Sequence, residues 1–209
     1  MNNNTKKVGI ALHPIYSVMA SVGDDETLRM WDIAKHSIIV SKNLGTQASC
    51  LSFSPDGSFL VVGLVNGVFL LLDSKIEKLN FGTYKEDFHP PSLDIIMTTK
   101  EAKTSIITVK FSFKGDFIAI SYDNEQIGEE VHLKEGDKQD TAFVLLYVNR
   151  LSTRNPGIRQ QSKDPYVRMA KILPPTLESS QAYQGLKISV MAVTQLDFSE
   201  DDMFLEMCS

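Results

Sequence analysis

Four short phrases recur along the chain, and their recurrence limits what it can fold into more than any other feature. They are Ile10-Ala-Leu-His-Pro14, Leu51-Ser-Phe-Ser-Pro55, Val109-Lys-Phe-Ser-Phe113 and Leu196-Asp-Phe-Ser-Glu200. Each reads as a strand that ends in a polar turn and is followed by a second apolar strand. Anchored on Leu12, Phe53, Phe111 and Phe198, the intervals are 41, 58 and 87 residues. A repeated unit of about 40 residues cannot bury its own apolar face and must stack on its neighbours. The longer intervals read as the same unit carrying insertions.

The rest of the pattern is period-two alternation or short apolar runs, with no helical periodicity sustained over a dozen residues. Strands are predicted at Val8–Leu12, Val18–Ser21, Leu28–Ile33, Ser37–Lys42, Ala48–Phe53, Phe59–Val65 and Val68–Asp73. Further strands are predicted at Asp94–Thr99, Ile106–Phe111, Phe117–Tyr122, Ala142–Val148, Val167–Leu173, Val190–Phe198 and Met203–Met207. Asn66-Gly67 between two apolar runs is a strong hairpin signal, because both residues tolerate positive φ. The chain reads as all-β.

Nineteen residues after the anchor, the first unit carries Trp31-Asp32 and the second Leu72-Asp73. The third reaches Tyr147-Val148 only after 36, which places about 17 extra residues between its second and third strands. The stretch Ala20 to Ile33, A-S-V-G-D-D-E-T-L-R-M-W-D-I, resembles the end of a WD-repeat motif. That resemblance implies a β-propeller blade in which Asp25 is the turn acid, Ser21 the second-strand hydroxyl and Trp31-Asp32 the signature pair. The Gly-His dipeptide usual in that family is absent, and His13 stands at the end of the first strand instead. The order of phrases Gly9–Pro14, Ser21–Asp32 and Cys50–Leu72 is similar to the second propeller of the echinoderm microtubule-associated protein-like family. The family resemblance implies a cytoskeletal adaptor with two fused propellers and a tubulin- or microtubule-binding role, in the cytoplasm and on the cytoskeleton.

The net charge of −5 is unevenly spread. Residues 123–140 hold seven acids against Lys134 and Lys138, a net −5. Residues 149–171 hold Arg150, Arg154, Arg159, Lys163, Arg168 and Lys171 against Asp164, a net +5. The acidic insert joins the second and third strands of its unit and the basic one the third and fourth, which puts them on opposite faces. Two readings of the basic loop stay open. One is a solvated loop of the kind charged, weakly apolar segments form. The other is a site for an acidic partner such as the tubulin surface, weakened by salt. Nucleic acid is not expected, since the basic stretch offers only Tyr166 for stacking and no recognised motif.

Catalytic and metal chemistry find no footing. His13, His36, His89 and His132 are far apart, and no Cys/His cluster has metal-ligand spacing. Asp24-Asp25-Glu26 reads as a tight turn whose adjacent side chains diverge. Cys50 reads as a small core residue and Cys208 is unassigned; two cysteines make no disulfide framework. No phosphate-binding, dinucleotide or nucleophile-elbow fingerprint occurs. The residues from Met1 to Lys7 offer no apolar signal segment, and the longest uncharged run, Gly57–Leu72, is shorter than the roughly 18 residues a membrane helix needs. No cofactor, metal or membrane is expected.

The expected architecture is therefore a WD-repeat propeller segment of about three and a half four-stranded blades, an incomplete ring. Blade one spans about 6–43, and blade two about 46–100 with an insert at 74–92. Blade three spans about 104–174 with inserts at 124–141 and 149–165, and a partial blade four spans about 187–209. The expected function is a non-catalytic adaptor binding tubulin, microtubules or another cytoskeletal protein through loops. A general scaffold of another complex, ciliary or RNA-processing, is the alternative, and an enzyme using a propeller channel a distant third.

Overall fold

The computed structural model describes residues 8–79, 87–123, 143–149, 164–172 and 193–208. Within them the chain is all-β, and its sheets are the blades of an incomplete WD propeller. Blade one is a four-stranded antiparallel sheet of β1 (Gly9–Leu12), β2 (Val18–Val22), β3 (Thr27–Asp32) and β4 (Ser37–Asn43), in that order. Blade two consists of β5 (Ala48–Phe53), β6 (Phe59–Leu64), β7 (Val68–Asp73) and β10 (Ile95–Lys100). Between β7 and β10, β8 (Glu77–Leu79) and β9 (Asp87–His89) form a small separate hairpin. Blade three consists of β11 (Ile106–Phe111), β12 (Phe117–Tyr122), β13 (Phe143–Asn149) and β14 (Tyr166–Ile172). Blade four is the pair β15 (Gln195–Phe198) and β16 (Leu205–Cys208).

The sequence pattern explains why these sheets stack. Val18, Ala20 and Val22 alternate along β2, so one face of blade one is apolar. The middle strand β6 is buried on both faces. Leu60, Val62 and Leu64 join Val18, Ala20, Leu28 and Met30 in a core between blades one and two. Val61, one residue out of phase, joins Phe69, Val109, Phe111 and Ile118 in the core between blades two and three. A single strand thus feeds two cores. Each fully buried aliphatic side chain contributes about 1.5–3 kcal/mol, so stacking is the main source of cohesion. Ala119, Val144, Val193 and Leu196 make a third, smaller core. Outer strands such as β4 are largely exposed.

Turn chemistry matches the hairpins. Asn66 Oδ1 accepts from the Val68 amide at 3.1 Å, and Gly67 sits at φ 79°. A Cβ on Gly67 would collide with the carbonyl of Ala102 in the linker to blade three, so glycine is required there twice over. Seams between blades are also hydrogen-bonded: Ser49 Oγ donates to the Ile106 carbonyl (2.6 Å), and Ser52 Oγ accepts from the Phe111 amide (3.3 Å).

The β8–β9 hairpin lies inside the segment read from sequence as an insert, and adds two strands to the fourteen read from sequence, making sixteen among the described residues. Three-residue strands are too short to show a period. Most of the acidic and basic inserts, and the chain between 173 and 192, lie outside the described residues.

Candidate functional site

Antiparallel order within each blade puts its first and third turns at one rim and its second turn, with the linker to the next blade, at the other. The segment joining β12 to β13 therefore departs from the rim opposite to that of the segment joining β13 to β14. Ser21, Asp25, Trp31 and Asp32 tie blade one together. Trp31 Nε1 donates to Ser21 Oγ at 2.9 Å, bridging β3 to β2. In the second turn, Asp25 Oδ1 accepts from the Thr27 amide (3.2 Å) and Oδ2 from Arg29 Nη1 (2.6 Å). The Arg29 hydrogen bond holds the Asp25 carboxyl below the usual carboxylate range. Asp32 Oδ1 accepts from the Lys35 amide at 2.9 Å and so fixes the third turn.

The first turns follow one plan around their rim. Ser54, Ser112 and Ser199 each accept from the amide five residues on, at 2.9, 3.0 and 3.0 Å. Ser54 donates to Asp56 and Ser199 to Asp201, each at 2.6 Å. Burial opposes ionisation of Asp56, but the Ser54 hydroxyl and the Ser58 amide and hydroxyl outweigh it and lower its pKa. Blade three has Lys114 in the acid's place. Its Ser112 donates instead to Asp202 Oδ2 of blade four at 2.8 Å, and the same carboxylate accepts from the Lys114 amide at 3.2 Å. Asp202 occupies the turn position held by Gly57 and Gly115 in the other two, and has their positive φ, 60°.

Blade one departs from the plan through His13, which stands where the serines stand. His13 Nδ1 accepts from the amides of Ile15 (3.2 Å) and Tyr16 (3.1 Å), and its ring stacks on Tyr16 and meets Phe53 edge-on. The ring also bonds the Gly57 backbone of blade two, where any Cβ would collide with the imidazole. Burial lowers the His13 pKa, outweighing the Gly57 hydrogen bond and the Asp56 charge. In blades two and three a second tether comes from the far side of the blade: Ser74 Oγ donates to the Gly57 carbonyl (3.0 Å) and Tyr166 OH to the Gly115 carbonyl (2.8 Å). The first turns are thus tied down within their blades and linked between blades one and two and between blades three and four, with Ile15, Phe113 and Met203 exposed at their tips.

Among the basic candidates, Arg150, Arg154, Arg159 and Lys163 lie outside the described residues. Arg168 is on strand β14, and its Nη1 is 2.6 Å from Glu101 Oε2. Glu101 Oε1 also accepts from Tyr147 OH at 3.0 Å, so Glu101 ties both Tyr147 and the half-exposed Arg168 of blade three to the linker before it. Two shallow polar depressions of about 270 and 200 Å³ share Pro90; Asp73, Lys75 and His89 line one, and Asp32 and Lys35 the other. No group of three or more His, Cys, Asp or Glu side chains able to hold a metal is found among the described residues. The geometry builds rigid rims and turn surfaces, of the kind that bind macromolecules.

The links made by Asp202, His13 and Glu101 are not read from sequence in advance. A signal for the first exists: aligned turns leave Ser112 without an acid and put Asp202 where glycine stands.

Comparison with known proteins agrees with this architecture. A family model described as WD domain, G-beta repeat matches residues 41–71. The match covers the repeat ending near Leu72-Asp73, not the one ending in Trp31-Asp32. Echinoderm microtubule-associated protein-like 2 of Rattus norvegicus is 29% identical over 117 residues, 56% of this chain and 16% of that protein. The 77 kDa echinoderm microtubule-associated protein of Strongylocentrotus purpuratus is 26% identical over the same length, 15% of that protein. Echinoderm microtubule-associated protein-like 3 of Mus musculus is 27% identical, over 11% of its length. The chain spans about a sixth of the length of the first of these relatives. It is a WD-repeat propeller segment that resembles the echinoderm microtubule-associated protein-like proteins.

Proposed function

We propose that the chain is a non-catalytic adaptor of the cytoplasmic cytoskeleton that binds tubulin or microtubules through its propeller rims. The observation that carries this reading is similarity over 117 residues to proteins named as microtubule-associated. The geometry is compatible with it: turns locked by Ser54, Ser112, Ser199 and Asp202 present a fixed surface at low ordering cost on binding. Residues 150–163 leave from that same rim, after Asn149, and carry Arg150, Arg154, Arg159 and Lys163. In this reading they supply the electrostatic part of binding to an acidic surface, while Arg168 positions blade three.

Co-sedimentation with microtubules tests the proposal. Binding is expected at low salt and a marked loss of it at moderate salt, because exposed charge pairs are screened. No pelleting even at low salt overturns direct attachment by this chain. Charge reversal at Arg150, Arg154, Arg159 and Lys163 is expected to weaken pelleting; unchanged affinity removes the basic segment from the account. The same fold would serve a scaffold for a different complex, and failure to pellet favours that second reading.

A further inference from the structure

The first turns of the four blades follow one another as a continuous arc. The His13 ring of blade one bonds the Gly57 backbone of blade two. A Cβ on Gly115 of blade three would lie 3.3 Å from the Pro55 ring of blade two. Asp202 of blade four bonds Ser112 and the Lys114 amide of blade three. Burial raises the Tyr166 pKa and the Asp56 charge raises it further, which places Asp56 at the seam between blades two and three.

Beyond holding the fold, the arc carries two surface features. The first is apolar. The residue after His13, Ser54 and Ser112 is Pro14, Pro55 and Phe113 in turn, all exposed. Ile15 and Phe113 are 63% and 64% exposed. Single exposed apolar residues are ordinary, but these succeed one another along one path. The second feature is charge. Residues 54–58, 112–116 and 199–203 hold Asp56, Asp116, Glu200, Asp201 and Asp202 against Lys114, a net −4. Lys114 Nζ is turned to the Asp201 carbonyl at 3.4 Å. Burial opposes ionisation of Asp56, but there, as at Asp201, hydrogen bonds led by the turn serine lower the pKa and keep the carboxylate charged. In the third turns at the same rim, Asp32 and Asp73 are matched by Lys35 and Lys75, so they add no net charge.

An occupant of the arc must bring cations to the carboxylates and apolar side chains to the turn tips. Nucleic acid brings phosphates, which this surface repels. The turns are already fixed by their own hydrogen bonds, so little ordering opposes binding. We propose that the arc of Ile15, Pro55 and Phe113, edged by Asp56, Glu200 and Asp201, is a docking surface for an extended lysine- or arginine-rich protein segment that carries apolar side chains. Such a partner is opposite in charge to an acidic tubulin surface, and the proposal does not depend on microtubule binding.

Fluorescence anisotropy of a labelled short peptide of alternating lysine and leucine, added to the full chain at low salt, tests it. Binding is expected. Ile15→Ser with Phe113→Ser should weaken it several-fold, and so should Glu200→Lys, with urea midpoints unchanged because all three side chains are exposed. A peptide of alternating lysine and serine should bind more weakly and ignore the Ile15→Ser, Phe113→Ser pair, which separates the arc from simple attraction to acids elsewhere in the chain. Equal affinity of the parent and both variants for the lysine–leucine peptide overturns the proposal, as does equally tight binding of a glutamate–leucine peptide. Binding that emerges only after Arg150→Gln, Arg154→Gln, Arg159→Gln and Lys163→Gln also overturns it, by assigning the arc to the chain's own bases. A parent dimer in sedimentation that Phe113→Ser disperses overturns it in favour of a second copy.

Discussion

The carboxylate that blade four lends to blade three invites a direct test. Asp202 is buried, its oxygens accept from Ser112 Oγ at 2.8 Å and the Lys114 amide at 3.2 Å, and among the described residues blade four is a two-stranded sheet. Hydrogen bonds to a charged group contribute about 1.5–3 kcal/mol each at most, and a buried donor left unsatisfied costs about 1–3 kcal/mol. Asp202→Gly keeps the positive φ at no steric cost and removes only the carboxylate, so a loss of about 2–3 kcal/mol is expected. At 1.4 kcal/mol per factor of ten, this accelerates exchange of the β15–β16 amides by roughly 30- to 140-fold where opening is local. Lys114→Asp supplies the acid that blades two and four carry in their own turns, as Ser54–Asp56 and Ser199–Asp201 show. By itself it sets two carboxylates on one serine and destabilises. Combined with Asp202→Gly, it should restore protection to blade three's turn, giving a favourable coupling of about 1 kcal/mol or more. Hydrogen exchange by mass spectrometry on the four proteins reads the cycle. A loss under about 0.5 kcal/mol for Asp202→Gly, or strict additivity, would refute the reasoning, because surface changes of no consequence fall in that range.

Two further perturbations follow from the same geometry. Ser21→Ala and Trp31→Phe each remove one side of the 2.9 Å hydrogen bond; each should cost about 1 kcal/mol in urea unfolding, with the double variant losing less than the sum. Additive losses would show that the bond carries no energy of its own. Burial lowers the His13 pKa in the folded chain, so the unfolded chain binds the proton more readily. Stability from this residue is complete well above the unfolded value near 6.5 and declines as pH falls from there toward the lowered folded pKa. The urea midpoint should drop between pH 7.5 and 5.5 and drop less in His13→Asn; an identical slope in the variant contradicts the assignment.

Much of this architecture is legible in the sequence, for a physical reason. Leu51-Ser-Phe-Ser-Pro55 and its counterparts combine period-two burial with a serine that must cap a turn, and both requirements are local. Trp31 paired with Ser21 ten residues earlier is likewise within reach of one hairpin. What stays hidden is non-local. The Ser112–Asp202 bond joins residues ninety apart, and Glu101 meets Arg168 across sixty-seven. Arg168 reads as one more charge in a basic run until the strand β14 is seen to aim it at Glu101. His13 reads as a solitary histidine because its partners, the Tyr16 amide and the Gly57 backbone, offer no side-chain pattern to recognise.

Among the described residues the blades stack in sequence, and the inner strand of blade one has no blade over its Ile10 and Leu12 face. Strands β1 and β5 occupy the same place in their blades, each paired with a single neighbour, β2 or β6. Among the described residues they differ in cover: β5 has a blade on both sides and β1 on one. Hydrogen exchange on the unmodified chain should therefore show the amides of Gly9–Leu12 exchanging orders of magnitude faster than those of Ala48–Phe53. Equal and strong protection of both strands would mean that blade one is already covered, and would contradict the account.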